Sequence, residues 1–272
     1  MNKQTVIVEK NRKLASVIQD FGFSFANVNK MLRNKDVKVN GRPEKQNVDV
    51  FVGDEIAFYF SNDMLNAKYD IVYQDEDVYI IYKHAGIETD GEKGIVKLLD
   101  KAIAVHRLDR NTEGLVVFAK NRECEEKLIR AFKIGSIHKL YLAEVVGKMD
   151  CKDQIFDAFL IKDADNSRVK IVDKKEKNAV AIKTKITTLK SQNQSSMLKI
   201  ELFTGKTHQI RAHLAYLGHA IIGDGKYGKN VDNKKFQQNR QKLACFCLKF
   251  DNVGIKGLNN KQFERRPEWG VL

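Results

Sequence analysis

No apolar run in the 272-residue chain approaches the roughly 20 residues that a bilayer-spanning helix needs, which argues against a helical membrane protein. The opening stretch, Met1 to Lys10, has too short an apolar segment, followed too soon by charge, for a secretory signal; the cytoplasm is the expected compartment. Cysteine is scarce: Cys124, Cys151, Cys245 and Cys247 are scattered. Their one close pair, Cys245-Phe246-Cys247, has neither a zinc-knuckle spacing nor a redox C-x-x-C spacing, so reduced and mostly buried thiols are expected. There are two prolines, Pro43 and Pro267, and neither an internal repeat nor a low-complexity tract. No G-x-G-x-x-G follows a strand, which leaves a dinucleotide or methyl-donor site of the usual sort unsupported. No H-E-x-x-H occurs, and His208 and His213 are five apart where four would share a helix face, so no metal site is expected.

What is abundant is positive charge. Forty-eight basic residues stand against 35 acidic ones, a net +13. That excess attracts a polyanion, whether RNA, DNA or an anionic membrane, although a lysine-rich solvated surface gives the same count. Hydrophobic residues at 43% and charged residues at 31% mark a folded globular chain. Its length accommodates one large domain or a small domain joined to a medium one.

The pattern divides the chain into residues 1–62, a polar linker at 63–69, and 70–272. In the first part Leu14, Ala15 and Ile18 have helical spacing, and Ser24 is a candidate cap for a second helix carrying Val28, Met31 and Leu32. Val37-Lys38-Val39 leads into the hairpin signal Asn40-Gly41, and Val48-Asp49-Val50 and Ile56-Ala57-Phe58 are expected to continue a small sheet, turning at Gly53-Asp54. Eight basic residues, among them Arg12, Lys13 and Arg33, face two acidic ones between Lys10 and Arg42. Such a basic helix pair can follow a phosphate backbone, or can be a solvated face. Beyond Asp70, strands are expected at 78–82, 114–119, 139–146, 154–161, 169–172, 180–188 and 197–203, with helices at 123–133 and 207–217. The charged run 162–177 reads as an exposed hairpin. The basic stretch 226–242 fits a substrate-contacting loop or a solvated surface equally.

Three constellations could carry chemistry. In His106-Arg107-Leu108-Asp109-Arg110 a charged turn runs into a buried-type strand. Asp109 lies between two arginines in sequence, and nearby positive charge keeps a carboxylate ionised. Such a group can attack an anomeric carbon or act as a base, or it can be a structural salt bridge. The second is Thr204-Gly205-Lys206-Thr207-His208-Gln209-Ile210-Arg211. Thr207 is a natural helix cap, Ile210, Leu214 and Leu217 form the apolar stripe, and His208 and Arg211 share the first turn, suited to a phosphate or a carboxylate. Gly205-Lys206-Thr207 imitates the end of a P-loop, but Ile200 stands where that motif needs glycine, which disfavours nucleoside triphosphate binding. In the third, alternation puts Lys139, Tyr141 and Ala143 on one strand face, where a tyrosine could stack on a base or be half-buried structure.

Together these segments resemble the RluA family of pseudouridine synthases. Its H-R-L-D-x-x-T-S-G-L-L-x-x-A-K stretch corresponds to His106-Arg107-Leu108-Asp109, Thr112-Glu113-Gly114-Leu115-Val116 and Ala119-Lys120. Its K-x-Y-x-A corresponds to Lys139, Tyr141 and Ala143, and its T-G-R-x-H-Q-I-R to Thr204 through Arg211. Gly223-Asp224 with Tyr227-Gly228, and Lys83-His84-Ala85-Gly86, match two shorter elements. The amino-terminal part is similar to a small RNA-binding domain first described in a ribosomal small-subunit protein. Departures from the pattern are His84 for proline, Lys206 for arginine, Ala220 where proline is common, and Cys245 near a usual histidine-alanine.

The resemblance implies an α+β catalytic domain on a long mixed, mainly antiparallel sheet flanked by helices, joined to a small α+β RNA-binding domain. It implies an isomerase that breaks the N1–C1′ bond of a flipped-out uridine, turns the uracil and rejoins it through C5, with no cofactor. The expected substrate is structured RNA, large-subunit ribosomal RNA first among candidates; no membrane partner is expected, and a monomer is the default. Asp109, Tyr141 and Arg211 would be catalytic. His106, Arg107, Lys139, Thr204 and His208 would contact substrate, as would Arg12, Lys13 and Arg33 of the first domain. Whether Asp109 attacks C1′ or removes the 2′ proton stays open. A noncatalytic RNA-binding or ribosome-assembly protein of the same fold would explain the charge without needing Asp109, Tyr141 and Arg211 together.

Overall fold

The computed structural model describes residues 1–21, 23, 25–61, 68–92, 94–163 and 167–270. Two compact units divide the chain, Met1–Lys68 and Tyr69–Leu272.

In the first unit, β1 (Asn2–Ile7), β2 (Arg12–Lys13), α1 (Leu14–Gln19), α2 (Phe25–Asn34), β3 (Val37–Val39), β4 (Arg42–Pro43), β5 (Asp49–Val50) and β6 (Glu55–Phe60) follow in order. The four-stranded antiparallel sheet runs β1-β6-β3-β4. Leu14, Val17, Ile18, Val28, Met31 and Leu32 from the helices close over Ile56 and Phe58 of the sheet, an apolar core that excludes water from both layers. Residues 2–7, to which no element was assigned from sequence, form a strand paired with β6. One expectation fails here. Asp49–Val50 leaves the sheet and pairs instead with Arg12–Lys13, because Val50 fills the core beneath the first helix. Ser24 and most of the expected linker, 62–67, lie outside the described residues.

The second unit contains β7 (Tyr69–Gln74), β8 (Val78–Lys83), β9 (Ile103–Ala104), β10 (Glu113–Ala119), α3 (Arg122–Ile134), β11 (Ile137–Val146), β12 (Gln154–Asp163), β13 (Arg168–Val172), β14 (Val180–Ser191), β15 (Ser195–Leu202), α4 (Gln209–Tyr216), α5 (Asn230–Lys235), β16 (Leu243–Phe250) and β17 (Gln262–Glu264). The long sheet runs β13-β12-β14-β15-β11-β16-β10-β8-β7, with β17 on β16 and β9 on β10. Every pairing is antiparallel except β10 with β16, near the middle, where Glu113 faces Ala244 and Gly114 faces Cys245. At that seam a β-carbon on Gly114 would sit 2.3 Å from the Cys245 carbonyl oxygen, so only glycine fits. Beside it β16 bulges: Leu140 faces Cys247 and Tyr141 faces Cys245, leaving Phe246 without a partner on β11. The 162–177 run is less exposed than its charge suggested, since Val169, Ile171 and Val172 of β13 are buried; its tip, 164–166, lies outside the described residues. Among the described residues no helix is long and apolar enough to cross a membrane, and no cluster of three or more His, Cys, Asp or Glu side chains is placed to hold a metal ion.

Candidate active site

The turn that presents Asp109 is pinned from several sides before any catalytic contact is made. Thr89, fully buried, donates its hydroxyl to the Leu108 carbonyl and accepts the Leu108 N–H, both at 3.1 Å. Lys83, also fully buried, donates to the carbonyls of His84 (3.1 Å), Ile87 (2.8 Å) and Arg110 (3.0 Å). Burial pushes the Lys83 amine down, to about 7, against the opposing pull of Asp109 and Glu113. Gln241 donates to the Thr112 hydroxyl at 2.6 Å from the far side of the seam. Neither Lys83 nor Thr89 was assigned a role from sequence, although Lys83 opens a motif element.

The arginines adjacent to Asp109 in sequence do not hold it. Arg107 approaches Asp90 at 3.6 Å and is 65% exposed, while Arg110 donates its Nε to the Gly86 carbonyl. The partner comes from α4: Arg211 Nη1 donates to Asp109 Oδ2 at 3.0 Å. Arg211 is itself oriented by Asp224, whose fully buried carboxylate receives Nε at 2.7 Å and Nη2 at 3.0 Å. Asp224 also accepts the N–H groups of Lys226 and Tyr227. Burial would raise the Asp224 carboxyl, but Arg211 and those amides outweigh it and the net shift is downward. One guanidinium thus bridges two carboxylates, the inner one locked and the outer one facing the cleft. Asp224 belonged to a quoted motif, yet nothing in the sequence tied it to Arg211.

The start of α4 also differs from expectation. Thr207 is not the cap. The helix begins at Gln209, and His208 precedes it in a left-handed conformation, φ 55°. Gln209 turns back instead: its side-chain oxygen accepts from Thr204 Oγ1 (2.9 Å) and from the Lys206 N–H (3.1 Å). That contact, with the Lys183 N–H donating to Thr204, makes Thr204 a brace of the loop rather than a cleft residue. The left-handed turn at His208 swings its ring toward Asp109, with Nε2 at 3.7 Å from Oδ2. Tyr227 accepts the Val169 N–H and lies 2.9 Å from His208 Nδ1, which holds the imidazole in place. Burial lowers the His208 pKa, opposed by Asp109.

Asp109, Lys139, Tyr141, Gly205, His208 and Arg211 line a cleft of about 440 Å³ that opens to solvent. A groove of about 1020 Å³ continues from it past Glu88, Asp90, Arg107, Lys226, Asn239 and Gln241. Tyr141 reaches the cleft from β11, opposite Cys245, and is 5% exposed. Burial raises its phenol well above 10, and the Cys245 thiol and Asp109 add to the shift, so the resting phenol is protonated. His106 is elsewhere: its Nε2 accepts the Val117 N–H and its ring packs on Phe132, with burial holding it neutral. It lines neither of these two cavities. Part of the ambiguous 226–242 stretch buttresses Asp224, since Asn233 accepts the Gly223 N–H and donates to the Asp224 carbonyl.

Arg12 and Lys13 of the first unit pair with Asp20 (2.5 Å) and Asp49 (2.9 Å), and Arg33 stands exposed in the last turn of α2.

A carboxylate held by a guanidinium beside a buried phenol, in a cleft midway along a mixed sheet, matches known proteins in family, sequence and fold. Residues 77–216 match the family described as RNA pseudouridylate synthase. An uncharacterized RNA pseudouridine synthase of Helicobacter pylori (strain J99) is 32% identical over 70% of this chain and 76% of its own length. The ribosomal large subunit pseudouridine synthase C of Rickettsia bellii (strain RML369-C) is 32% identical over 75% and 77%. The fold is shared with human RNA pseudouridylate synthase domain containing 1, at a TM-score of 0.62 and 23% identity, over 74% of this chain and 83% of that one. The chain belongs to the RluA family of RNA pseudouridine synthases. It is an isomerase whose substrate is RNA.

Proposed function

We propose that this enzyme converts uridine to pseudouridine in structured ribosomal RNA of the large subunit, acting as a monomer in the cytoplasm, with Asp109 as its catalytic carboxylate. The observation that carries the assignment of Asp109 is its 3.0 Å contact with Arg211 inside the cleft that Tyr141 lines. The ribosomal substrate is supported by relatives named for the large subunit.

A uridine in a stem is out of reach, so it must be flipped out, at a cost on the order of a few kcal/mol that contacts to phosphates offset. Arg107, exposed at the junction of cleft and groove, is suited to occupy the space the base leaves. Asp109, charged and aimed by Arg211, either attacks C1′ or takes the 2′ proton. Tyr141 offers its ring face to the uracil. Because its phenol rests protonated, it can accept the C5 proton only as its own proton passes on, the net transfer within the ring being from C5 to N1. The basic surface of the first unit, with Arg12, Lys13 and Arg33, extends the hold on the phosphate backbone.

Carbodiimide treatment and primer extension of ribosomal RNA incubated with the protein is the direct test. A new stop with wild type and none with Asp109→Asn is the expected result. Unchanged activity in Asp109→Asn would remove the carboxylate from its role, and no stop with wild type would favour the noncatalytic RNA-binding alternative.

A further inference from the structure

Two lysines line the cleft without an ion pair among the described residues, Lys206, which is exposed, and Lys139, which is half-buried. Lys139 shares a β11 face with Tyr141, two residues away, which sets their α-carbons about 7 Å apart. Its ammonium meets Gly205 across the cleft: a β-carbon there would lie 3.2 Å from Nζ. Gly205 has no left-handed backbone to require glycine; what it supplies is room for the amine. Arg211 has two carboxylates and Lys83 has three carbonyls. Among the described residues Lys139 forms no ion pair, and its neighbours are the Phe132 ring, 5.3 Å from Nζ, the neutral His106 and the Cys245 thiol. Burial lowers the pKa of the amine. A half-buried cation without an ion pair beside the reacting groups is complementary to a negative charge that exists only during the reaction.

We propose that Lys139 is a further catalytic residue whose ammonium stabilises the departing uracil as an anion. This rests on the reading of Asp109 and Tyr141 given above. As N1–C1′ breaks, the electron pair stays on N1 and the charge spreads to O2 and O4. C1′ is then bonded to Asp109, or in the elimination route the 2′ proton has passed to Asp109. Both routes release the same anion, so Lys139 serves either one by donating a hydrogen bond to a ring oxygen while keeping its proton. When C5 bonds to C1′ the ring's charge is consumed, as the C1′–oxygen bond to Asp109 breaks and frees its carboxylate or, on the elimination route, as Asp109 returns its proton to C2′; loss of the C5 proton with protonation of N1 then restores the ring. The position of Lys139 on the Tyr141 face directs it to the base rather than to the sugar–phosphate chain.

The test compares full-length wild type, Lys139→Met and Lys139→Arg on transcribed large-subunit ribosomal RNA containing either uridine or 5-fluorouridine. The C-linked product, which on 5-fluorouridine RNA keeps its fluorine and so cannot lose a proton at C5, is quantified by chromatography after nuclease digestion, and RNA affinity by filter binding. On uridine RNA, Lys139→Met is expected to slow single-turnover isomerisation about a hundredfold, with Kd changed less than about threefold, and Lys139→Arg to recover part of the rate. Fluorine makes the uracil a better leaving group that needs less help, so the ratio of wild type to Lys139→Met should shrink about tenfold on 5-fluorouridine RNA. An equal rate loss on both RNAs overturns the proposal, as does a loss expressed only as weaker binding, which would assign the charge to a phosphate. Wild-type turnover in Lys139→Met removes Lys139 alone, whereas no isomer from wild type removes the parent reading. Should Lys139→Met fail to fold, Lys139→Arg against wild type on the two RNAs carries the same comparison.

Discussion

The two units bury different chemistry. Among the described residues, the core of Met1–Lys68 is closed by apolar side chains alone. Every buried polar or charged side chain, including Lys83, Thr89, Gln209, Arg211, His213 and Asp224, belongs to Tyr69–Leu272. Burying such groups costs stability unless each is paired. Here nearly all are paired, and those around the cleft converge on one turn and one guanidinium. The lesson is that the second unit carries its function inside, as a preorganised electrostatic site, while anything the first unit does for RNA has to be done from its surface.

The contrast is broken most sharply by Asp224→Ala. It strips Arg211 of its inner carboxylate in a nearly dry setting, which should cost on the order of 3–5 kcal/mol in a urea-unfolding measurement and abolish isomerisation. A cost below about 1 kcal/mol would mean that Asp109 alone satisfies the guanidinium. Next in size, Tyr141→Phe should bind RNA normally and turn over about a hundredfold more slowly or worse. Near-normal single-turnover rates would leave the ring, and not the hydroxyl, as its contribution. On the surface side, combining Arg12→Gln, Lys13→Gln and Arg33→Glu should weaken RNA binding severalfold and flatten its dependence on salt by about one unit for each phosphate the protein no longer neutralises. Turnover at saturating RNA should not move, and an unaltered salt slope would deny the first unit its hold on RNA. The smallest effect concerns acid. Burial depresses His106, His208 and His213 below the ordinary 6.5, so the unfolded chain binds more protons than the folded one just below that pH. The histidines' share of the stability should therefore fall as pH drops through 6.5. His106→Gln, followed by urea titrations across pH 5–8, should lessen that slope.

The long strands of the sheet were legible because each alternates or runs apolar over enough residues to outweigh local exceptions. Asn2–Ile7 was not, since its first four residues are polar or charged and its pairing partner, β6, lies some fifty residues away. Asp49–Val50 is too short for a pattern to reveal its partner. At α4, the capping preference of Thr207 lost to a side-chain contact from Gln209 that no local rule anticipates. In the site, Asp109 stood out as a carboxylate in a charged turn, but adjacency in sequence pointed to the wrong arginines. Its actual partner is 102 residues away and was available only through the family resemblance. Lys83, Thr89 and Asp224 escaped notice as working parts because each acts through folded neighbours, by clamping backbone carbonyls, an amide or a guanidinium.

The contact at Gly114 fixes more than one strand. The Asp109 turn feeds directly into β10, and the backbone of Cys245, opposite Tyr141, is the surface that Gly114 touches. The gap between carboxylate and phenol is thus gauged by main chain against main chain, with no side chain acting as spacer. Exchanging the Cys245 thiol for another small group should leave that gap intact, whereas a single methyl at 114 would wedge the two halves of the cleft apart.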